Sequence, residues 1–299
     1  MFLFIVNRAA GSGKGLVYWR KIQRELDLKG ISYEAILSDA DISTRQFIAK
    51  NRSSQAIHAV GVIGGDGTVH SVLQEIAGTK IPLAIFPAGS GNDTARTFQL
   101  TDNPVQFANQ VSRAETEQVD LIEVNKQVGI TVAGMGIDTV IGEKVNRASY
   151  KPFFNKIGIG SLAYIIGALQ AAFAFQPFKT TLKINGQTKT FEKTWLLASG
   201  NTASYGGGLA ICPNADPTDG SMNITIFHSL PRVKAFLRIF PALLTGKTIN
   251  KSGVSYLQGT DLKIITDRPT SAILDGELIA TTPLHIKIHP KALSLVLTR

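Results

Sequence analysis

The tract Gly64-Gly65-Asp66-Gly67-Thr68 joins three glycines to one acid and one hydroxyl. Between an apolar run and a helical pattern, such a tract can offer backbone N–H groups and a helix's positive end to a phosphate. Asp66 is its informative member, because an acid in a phosphate-facing loop is costly unless it binds a cation or positions a nucleotide group. A plain strand-to-helix turn is the alternative reading of the tract. Pro87-Ala88-Gly89-Ser90-Gly91-Asn92-Asp93 has the same setting. There Ser90 and Asn92 supply hydrogen-bonding groups, and Asp93 either lines the loop or caps the helix that follows. The first loop, Asn7 to Gly15, supplies Gly11, Ser12, Gly13 and Lys14. It is not a P-loop, which would need Gly at Arg8 and Ser or Thr at Gly15. It also fails the dinucleotide fingerprint, since Leu16 stands where the last glycine belongs.

The second half carries two further acidic groups. Gly206-Gly207-Gly208 precedes Asp216-Pro217-Thr218-Asp219-Gly220. Asp216 and Asp219, three apart in a turn with carbonyls nearby, suit a hard cation such as Mg²⁺; a solvated Asx-rich turn is the other reading. Asp275-Gly276-Glu277 follows a strand-like run, and a hairpin turn is its default meaning. The five histidines make no convincing metal constellation, and His285 and His289 share one strand face at best. Cys212, the single cysteine, excludes an internal disulfide and leaves no cluster for structural zinc or an iron–sulfur centre.

Patterning places each glycine loop after a strand. An apolar run at 2–6 precedes the first loop, and a helical pattern at 16–28 stops at Gly30. A strand at 32–37, a helix at 42–51 and a buried strand at 56–63 lead to the second loop, and a helix at 68–77 closes at Gly78. A strand at 81–86 and a helix from Asn92 frame the third loop. Repeated β-α units imply a parallel sheet with helices on both faces, whose loops gather along one edge. After Asp120 the runs become short and alternating, at 180–184, 194–198, 222–227, 261–266 and 284–288, which indicates an antiparallel sandwich or barrel. The expected division is an α/β domain over 1–120 and a β-sandwich over 121–290, with 291–299 free to return to the first.

With 299 residues, 44% of them apolar and 18% charged, the chain is a folded globular protein. The run at 1–6 is too short for a signal-peptide core and has no basic leader, so a cytoplasmic location is expected. The uncharged run at 157–178 is long enough to cross a bilayer, yet its glycines, glutamines and helically spaced Leu162, Ile165, Ile166, Leu169 and Phe173 favour a buried or interfacial helix. The net charge of +9 is concentrated. Residues 144–260 hold 13 Lys or Arg against Glu192, Asp216 and Asp219, and 220–260 hold no carboxylate. There Arg232, Lys234, Arg238, Lys247 and Lys251 interleave with Phe236, Leu237, Ile239, Phe240, Leu243 and Leu244. Docking on an anionic membrane surface is one reading, at about 1 kcal/mol per basic residue near the surface. A solvated face over a core helix is the other. No nucleic-acid signature accompanies the charge, so nucleic acid is not an expected partner.

In order, VNRAAGSGKG, GGDGT, PAGSGND, VDLIEV, GGGLAICPNADPTDG and LDGE resemble the diacylglycerol kinase catalytic-domain family, which includes sphingosine kinases and soluble bacterial lipid kinases. GGDG alone is shared with NAD kinases and phosphofructokinases; PAGSGND and the late DGE separate this chain from them. The resemblance implies the two-domain NAD-kinase and diacylglycerol-kinase fold, with ATP in the cleft. It places Asn7, Gly64, Gly65, Asp66, Gly67, Thr68 and Ser90 around the nucleotide and Glu277 near its ribose. Asp275 matches the candidate base for a lipid hydroxyl, Asp216 and Asp219 match a structural Mg²⁺ site, and Asp66 and Asp93 would line the phosphate and acceptor region. Arg8 and Ser90 depart from the family's frequent proline and threonine. The implied activity is an ATP- and Mg²⁺-dependent lipid kinase acting on diacylglycerol or a related lipid, peripheral to the membrane. An aspartate with the reference pKa of about 3.9 is a weak base, so Asp275 would orient the hydroxyl and accept its proton late. A soluble-metabolite kinase of the NAD-kinase type and a catalytically silent lipid-binding module are the rival readings. A homodimer is a candidate assembly, and the identity of the lipid is not legible from spacing.

Overall fold

A computed structural model describes residues 1–38, 41–52, 57–140, 175–235, 237, 248 and 252–298. Its first four strands are β1 (Phe2–Val6), β2 (Tyr33–Leu37), β3 (Ala59–Gly64) and β4 (Leu83–Pro87), all parallel in the order β2-β1-β3-β4. The central strands read as unbroken apolar runs because helices cover both faces. Leu3 and Ile5 pack with Ile48, Val69, Val72, Leu73 and Ile76 from α2 (Asp41–Arg52) and α3 (Asp66–Ile76). Phe4 and Val6 point the other way, onto Trp19, Ile22 and Leu26 of α1 (Ala10–Leu28) and Phe107 of α5 (Pro104–Arg113). The chain steps from β1 to β2 in one direction and from β3 to β4 in the other, so the strand order reverses between β1 and β3. Ligands of such sheets bind beyond the strands' carboxyl ends at that point.

The helix expected from Asn92 is short, α4 (Asp93–Thr97). The sequence reading did not anticipate α5, although its start is well marked. Asn103 accepts from the amides of Val105 and Gln106 at 2.9 and 3.2 Å, and Pro104 occupies the first turn.

The remaining strands are β5 (Thr116–Val124), β6 (Gln127–Gly129), β7 (Val132–Gly136), β8 (Phe178–Ile184), β9 (Gln187–Thr194), β10 (Leu196–Gly200), β11 (Ser204–Tyr205), β12 (Leu209–Ala210), β13 (Met222–Phe227), β14 (Val254–Gly259), β15 (Asp261–Thr266), β16 (Ser271–Leu274), β17 (Glu277–Thr281) and β18 (Leu284–Val296). An antiparallel sheet in the order β14-β13-β10-β7-β16-β17 packs over the β18-β15-β8 side of the first sheet. Their shared core includes Met135, Leu197, Ile224 and Ile226 from one layer and Leu182, Ile264 and Ile286 from the other. The chain thus has an N-terminal α/β lobe and a C-terminal antiparallel β-sandwich lobe.

β18 ties the lobes together. It runs antiparallel to β15 and β5, and its end lies parallel to β4 with Leu295 opposite Leu83. A boundary near Asp120 therefore falls inside a strand. Val119 to Ile122 is an unbroken buried run paired with β18, and the sheet is continuous through both lobes. No helix among the described residues is long and apolar enough to cross a membrane. The run at 157–178 lies outside the described residues up to 174, as does most of the basic stretch at 236–251.

Candidate active site

A cavity of about 460 Å³ opens at the β1–β3 reversal, lined by Asn7, Gly11, Ser12, Gly65, Gly67, Thr68, Gly89 and Ser90 among others. All three glycine loops reach it. Gly11, Ser12 and Gly13 have left-handed φ values of 57°, 60° and 92°, so α1 becomes regular only after them. A Cβ on Gly11 would lie 2.5 Å from the Ala88 carbonyl oxygen, and one on Gly89 2.5 Å from the Gly65 Cα. Backbone packs on backbone there, which only glycine permits.

Asn7 joins the first loop to the second. Its Oδ1 accepts from the amides of Ala9 and Ala10 at 3.0 and 3.1 Å, and its Nδ2 donates to Thr68 Oγ1 at 3.1 Å. Asp66 joins the second loop to the third, its carboxylate accepting from the Asp93 and Thr94 amides at 3.1 and 3.2 Å. It caps α4 across the loops. Desolvation by burial raises the Asp66 pKa above the usual carboxylate value; the two amides oppose that, and the charges of Asp93 and Asp275 add to it. Ser90 is exposed on the cavity wall.

Asp93, the first residue of α4, reaches the other lobe. Gly207 donates its amide to both Asp93 oxygens at 3.0 and 2.9 Å, and Gly208 donates to Oδ1 at 2.9 Å. Arg96 Nη1 adds a bond of 2.7 Å to Oδ1 while its Nη2 holds the Gly91 carbonyl at 2.9 Å. Gly206, Gly207 and Gly208 all have positive φ, turning successive amides toward one anion. The triglycine tract is thus a nest whose anion is Asp93.

Asp275 and Gly276, with φ of 54° and 86°, form the turn between β16 and β17, as the Asp-Gly pair suggests. The Asp275 carboxylate is held inside the protein, 8% exposed. Oδ1 accepts from the Thr131 amide at 2.8 Å and its hydroxyl at 2.7 Å; the Ile130 amide is shared between Oδ1 at 3.2 and Oδ2 at 3.1 Å. His70 Nδ1 of α3 lies 3.3 Å from Oδ2. Glu277, just past the turn, sets Oε1 2.7 Å from where a Gly67 Cβ would be, so its carboxylate lies over the first turn of α3. That is a favourable place for a negative charge.

Asp216 and Asp219 are exposed and shape their own turns. Asp216 Oδ1 accepts from the amide and hydroxyl of Thr218 at 2.9 and 2.7 Å, and Asp219 Oδ1 does the same with Ser221 at 2.9 and 2.8 Å. No group of three or more metal-capable acids, histidines or cysteines occurs among the described residues. One oxygen of each acid is thus engaged in its own turn, and Oδ2 of Asp219 lies 3.4 Å from Gln258 Nε2.

Several residues of this region were missed from sequence. Asp120 is fully buried, accepting from the Gly220 amide at 2.7 Å and the Lys291 amide at 2.8 Å, so it pins the 216–220 turn to β18. An acid inside the apolar run VDLIEV was the available signal. Asn201 donates Nδ2 to the Asp120 and Ile130 carbonyls at 2.8 and 2.9 Å. Asp138, beyond β7, accepts from the Tyr205 hydroxyl at 2.8 Å, and desolvation pushes its pKa up to about 6. His285 and His289 pair with Asp261 and Glu123 at 2.9 and 2.8 Å on the sheet's outer face, apart from the cleft.

Glycine loops gathered at the ends of parallel strands, with a sandwich lobe whose hairpin acids reach α3 beside them, define a two-lobed protein with a glycine-lined cleft. Residues 1–124 match the diacylglycerol kinase catalytic domain, and residues 131–297 match the YegS C-terminal NAD kinase beta sandwich-like domain. A diacylglycerol kinase of Mycobacterium tuberculosis is 33% identical over 301 residues, covering 99% of this chain and 94% of that protein. A crystal structure from Bacillus anthracis str. Sterne superposes with a TM-score of 0.78 at 22% identity, covering 99% of this chain and 96% of that one. A second from the same strain, described as a diacylglycerol kinase, gives 0.73 at 20% identity and shares the fold. The chain belongs to the diacylglycerol kinase family of lipid kinases.

Proposed function

We propose that the protein transfers the γ-phosphoryl group of ATP to the hydroxyl of a lipid, diacylglycerol or a close relative. The observation that carries this reading is the Asp275–Glu277 turn, which brings two carboxylates of the sandwich lobe to α3 beside the glycine-lined cavity. In this reading the α3 amides and the Gly89–Ser90 segment take the phosphates, Asn7 and Thr68 fix the loops that touch them, and Glu277 meets the ribose. Asp66 and Asp93 frame the acceptor side by locking α4 and the triglycine tract in place. The charge of the nucleotide would be offset by Mg²⁺ bound to its phosphates, and no step runs through Asp216 or Asp219.

The lipid oxygen bonds to the γ-phosphorus as the bond from phosphorus to the β,γ-bridging oxygen breaks, and ADP leaves. The hydroxyl proton passes to Asp275. Little covalent work falls to the protein, so positioning and charge neutralisation dominate. The helical turn at 232–235 supports membrane docking, because Val233 and Leu237, four apart, are 69% and 62% exposed.

The test is transfer of labelled γ-phosphate from ATP with Mg²⁺ into a total lipid extract, with wild type beside Asp275→Ala. Label in a lipid with wild type alone is the expected result. No labelled lipid, with NAD phosphorylated instead, overturns the reading in favour of a soluble-metabolite kinase.

A further inference from the structure

On α3, Asp66, His70 and Gln74 recur every fourth residue and form a polar stripe on one face. Asp66 bonds the Asp93 and Thr94 amides, His70 meets Asp275, and Gln74 clamps β6. His70 is 7% exposed, and a buried imidazole without a partner would be costly. Its hydrogen-bond role can be assigned. The Val128 amide donates to Gln74 Oε1 at 3.1 Å and the Val128 carbonyl accepts from Gln74 Nε2 at 2.7 Å, which fixes the orientation of the Gln74 amide. Gln74 Nε2 also donates to the His70 carbonyl at 3.0 Å, and it lies 3.5 Å from His70 Nε2. Those two carbonyls take both hydrogens of the Gln74 amide, so His70 Nε2 faces a nitrogen that cannot accept from it, whereas Asp275 Oδ2, 3.3 Å from Nδ1, can; the ring hydrogen therefore sits on Nδ1 and points at that oxygen.

The two Asp275 oxygens are held differently. Oδ1 has the amide and the hydroxyl of Thr131, whereas Oδ2 has only its share of the Ile130 amide and His70. Oδ2 is the oxygen with capacity left for a hydroxyl, and His70 sets its direction. Asp275 is on the sandwich lobe and His70 on the nucleotide lobe, so the bond also registers the carboxylate against the glycine loops.

We propose that His70 is a positioning residue, whose Nδ1–H aims Asp275 Oδ2 at the acceptor hydroxyl. The proposal rests on Asp275 acting in phosphoryl transfer as described above. Three substitutions separate the donor from the bulk of the ring. His70→Asn keeps an amide nitrogen where Nδ1 stood, His70→Gln carries it near the Nε2 position, and His70→Leu carries none.

With labelled ATP and the lipid acceptor found above, His70→Asn is expected to stay within about threefold of wild-type kcat, while His70→Gln and His70→Leu fall on the order of ten- to a hundredfold with KM for ATP unchanged. Thermal unfolding of each variant separates this pattern from loss of fold, since a structural role alone would make kcat follow Tm. His70→Leu or His70→Gln at wild-type kcat, or His70→Asn as slow as His70→Leu at equal Tm, overturns the proposal. Nitrogen NMR of the His70 ring supplies an arm independent of turnover. A protonated Nδ1 in wild type whose signal shifts in Asp275→Asn is expected, and a hydrogen on Nε2 overturns the proposal even when no lipid is phosphorylated. Absence of lipid kinase activity with the NMR signature intact instead counts against the functional reading.

Discussion

Asp93 and Gly207 are joined across the two lobes, the glycine amide donating to both carboxylate oxygens at 3.0 and 2.9 Å. Asp93 is the last acid of the third glycine loop and the first residue of α4, so the loop that borders the cavity also latches the sandwich lobe. Removing the carboxylate leaves the Gly207 and Gly208 amides and Arg96 Nη1 without their acceptor, while Arg96 Nη2 keeps the Gly91 carbonyl. Asp93→Ala is expected to lower stability by about 2 kcal/mol, the scale of a buried hydrogen bond to a charged group. It should also loosen the triglycine tract. Denaturant unfolding checks the first effect, and amide hydrogen exchange at Gly207 and Gly208 checks the second. Wild-type protection at those amides in the variant would show that the latch is unimportant.

The glycines of the cleft should answer differently to the same added methyl group. A Cβ on Gly67 meets the Glu277 Oε1 at 2.7 Å, and Glu277 is an exposed, flexible side chain that can swing away. Gly67 is helical, so alanine there gains up to about 1 kcal/mol of helix propensity. Gly67→Ala should keep or raise Tm while raising KM for ATP, since Glu277 is displaced from the α3 terminus. A Cβ on Gly89 meets the backbone of Gly65 at 2.5 Å, which has no rotamer to change. Gly89→Ala should lower both Tm and activity. Calorimetry and ATP-dependent kinetics on the pair check these opposite signs.

The loops and their order were legible because glycine tracts between apolar runs and helical patterns have few other uses, and β1, β3, β4 and α3 lie within a few residues of where patterning placed them. The strand β5 was not, because Val119 to Val124 reads equally as the end of one domain and the start of another. Only its pairing with β18, more than 160 residues away, makes it a strand shared by both lobes. The acids Asp66, Asp93 and Asp275 stood out by motif, yet their partners are backbone amides of Thr94, Gly207 and Thr131. A backbone amide carries no sequence signal, so what those acids hold could not be read. His70 was passed over for a related reason. One histidine on an apolar helix is uninformative until the fold sets Asp275 beside it.

Membrane docking should depend on two apolar side chains as well as on charge. Val233 and Leu237 are exposed one helical turn apart, next to Arg232 and Lys234. Cosedimentation with vesicles containing anionic phospholipid should weaken as salt rises, because screening acts on the basic residues. Val233→Asp with Leu237→Asp should weaken it further at any salt concentration. Binding that ignores both salt and the double substitution would defeat this docking reading.

The Asp138 carboxyl makes a prediction about pH and stability. Desolvation pushes its pKa up to about 6 in the folded protein, against the ordinary carboxylate value of 3.8, although the Tyr205 hydroxyl and the Thr139 amide both favour the charge. The folded state therefore holds a proton that the unfolded chain has released, and stability falls as pH rises between those two values. Below the window both states are protonated and above it both are ionised, so the loss is complete above about pH 6. Asp138→Asn cannot ionise, and its carbonyl can still accept from Tyr205. The variant should unfold at nearly the parent Tm at about pH 4 and at a higher Tm at about pH 7. Thermal unfolding of parent and variant across that range isolates Asp138, because the other titrating groups are common to both. A variant that loses stability at neutral pH would mean that the ionised Asp138 is held by a favourable partner in the fold.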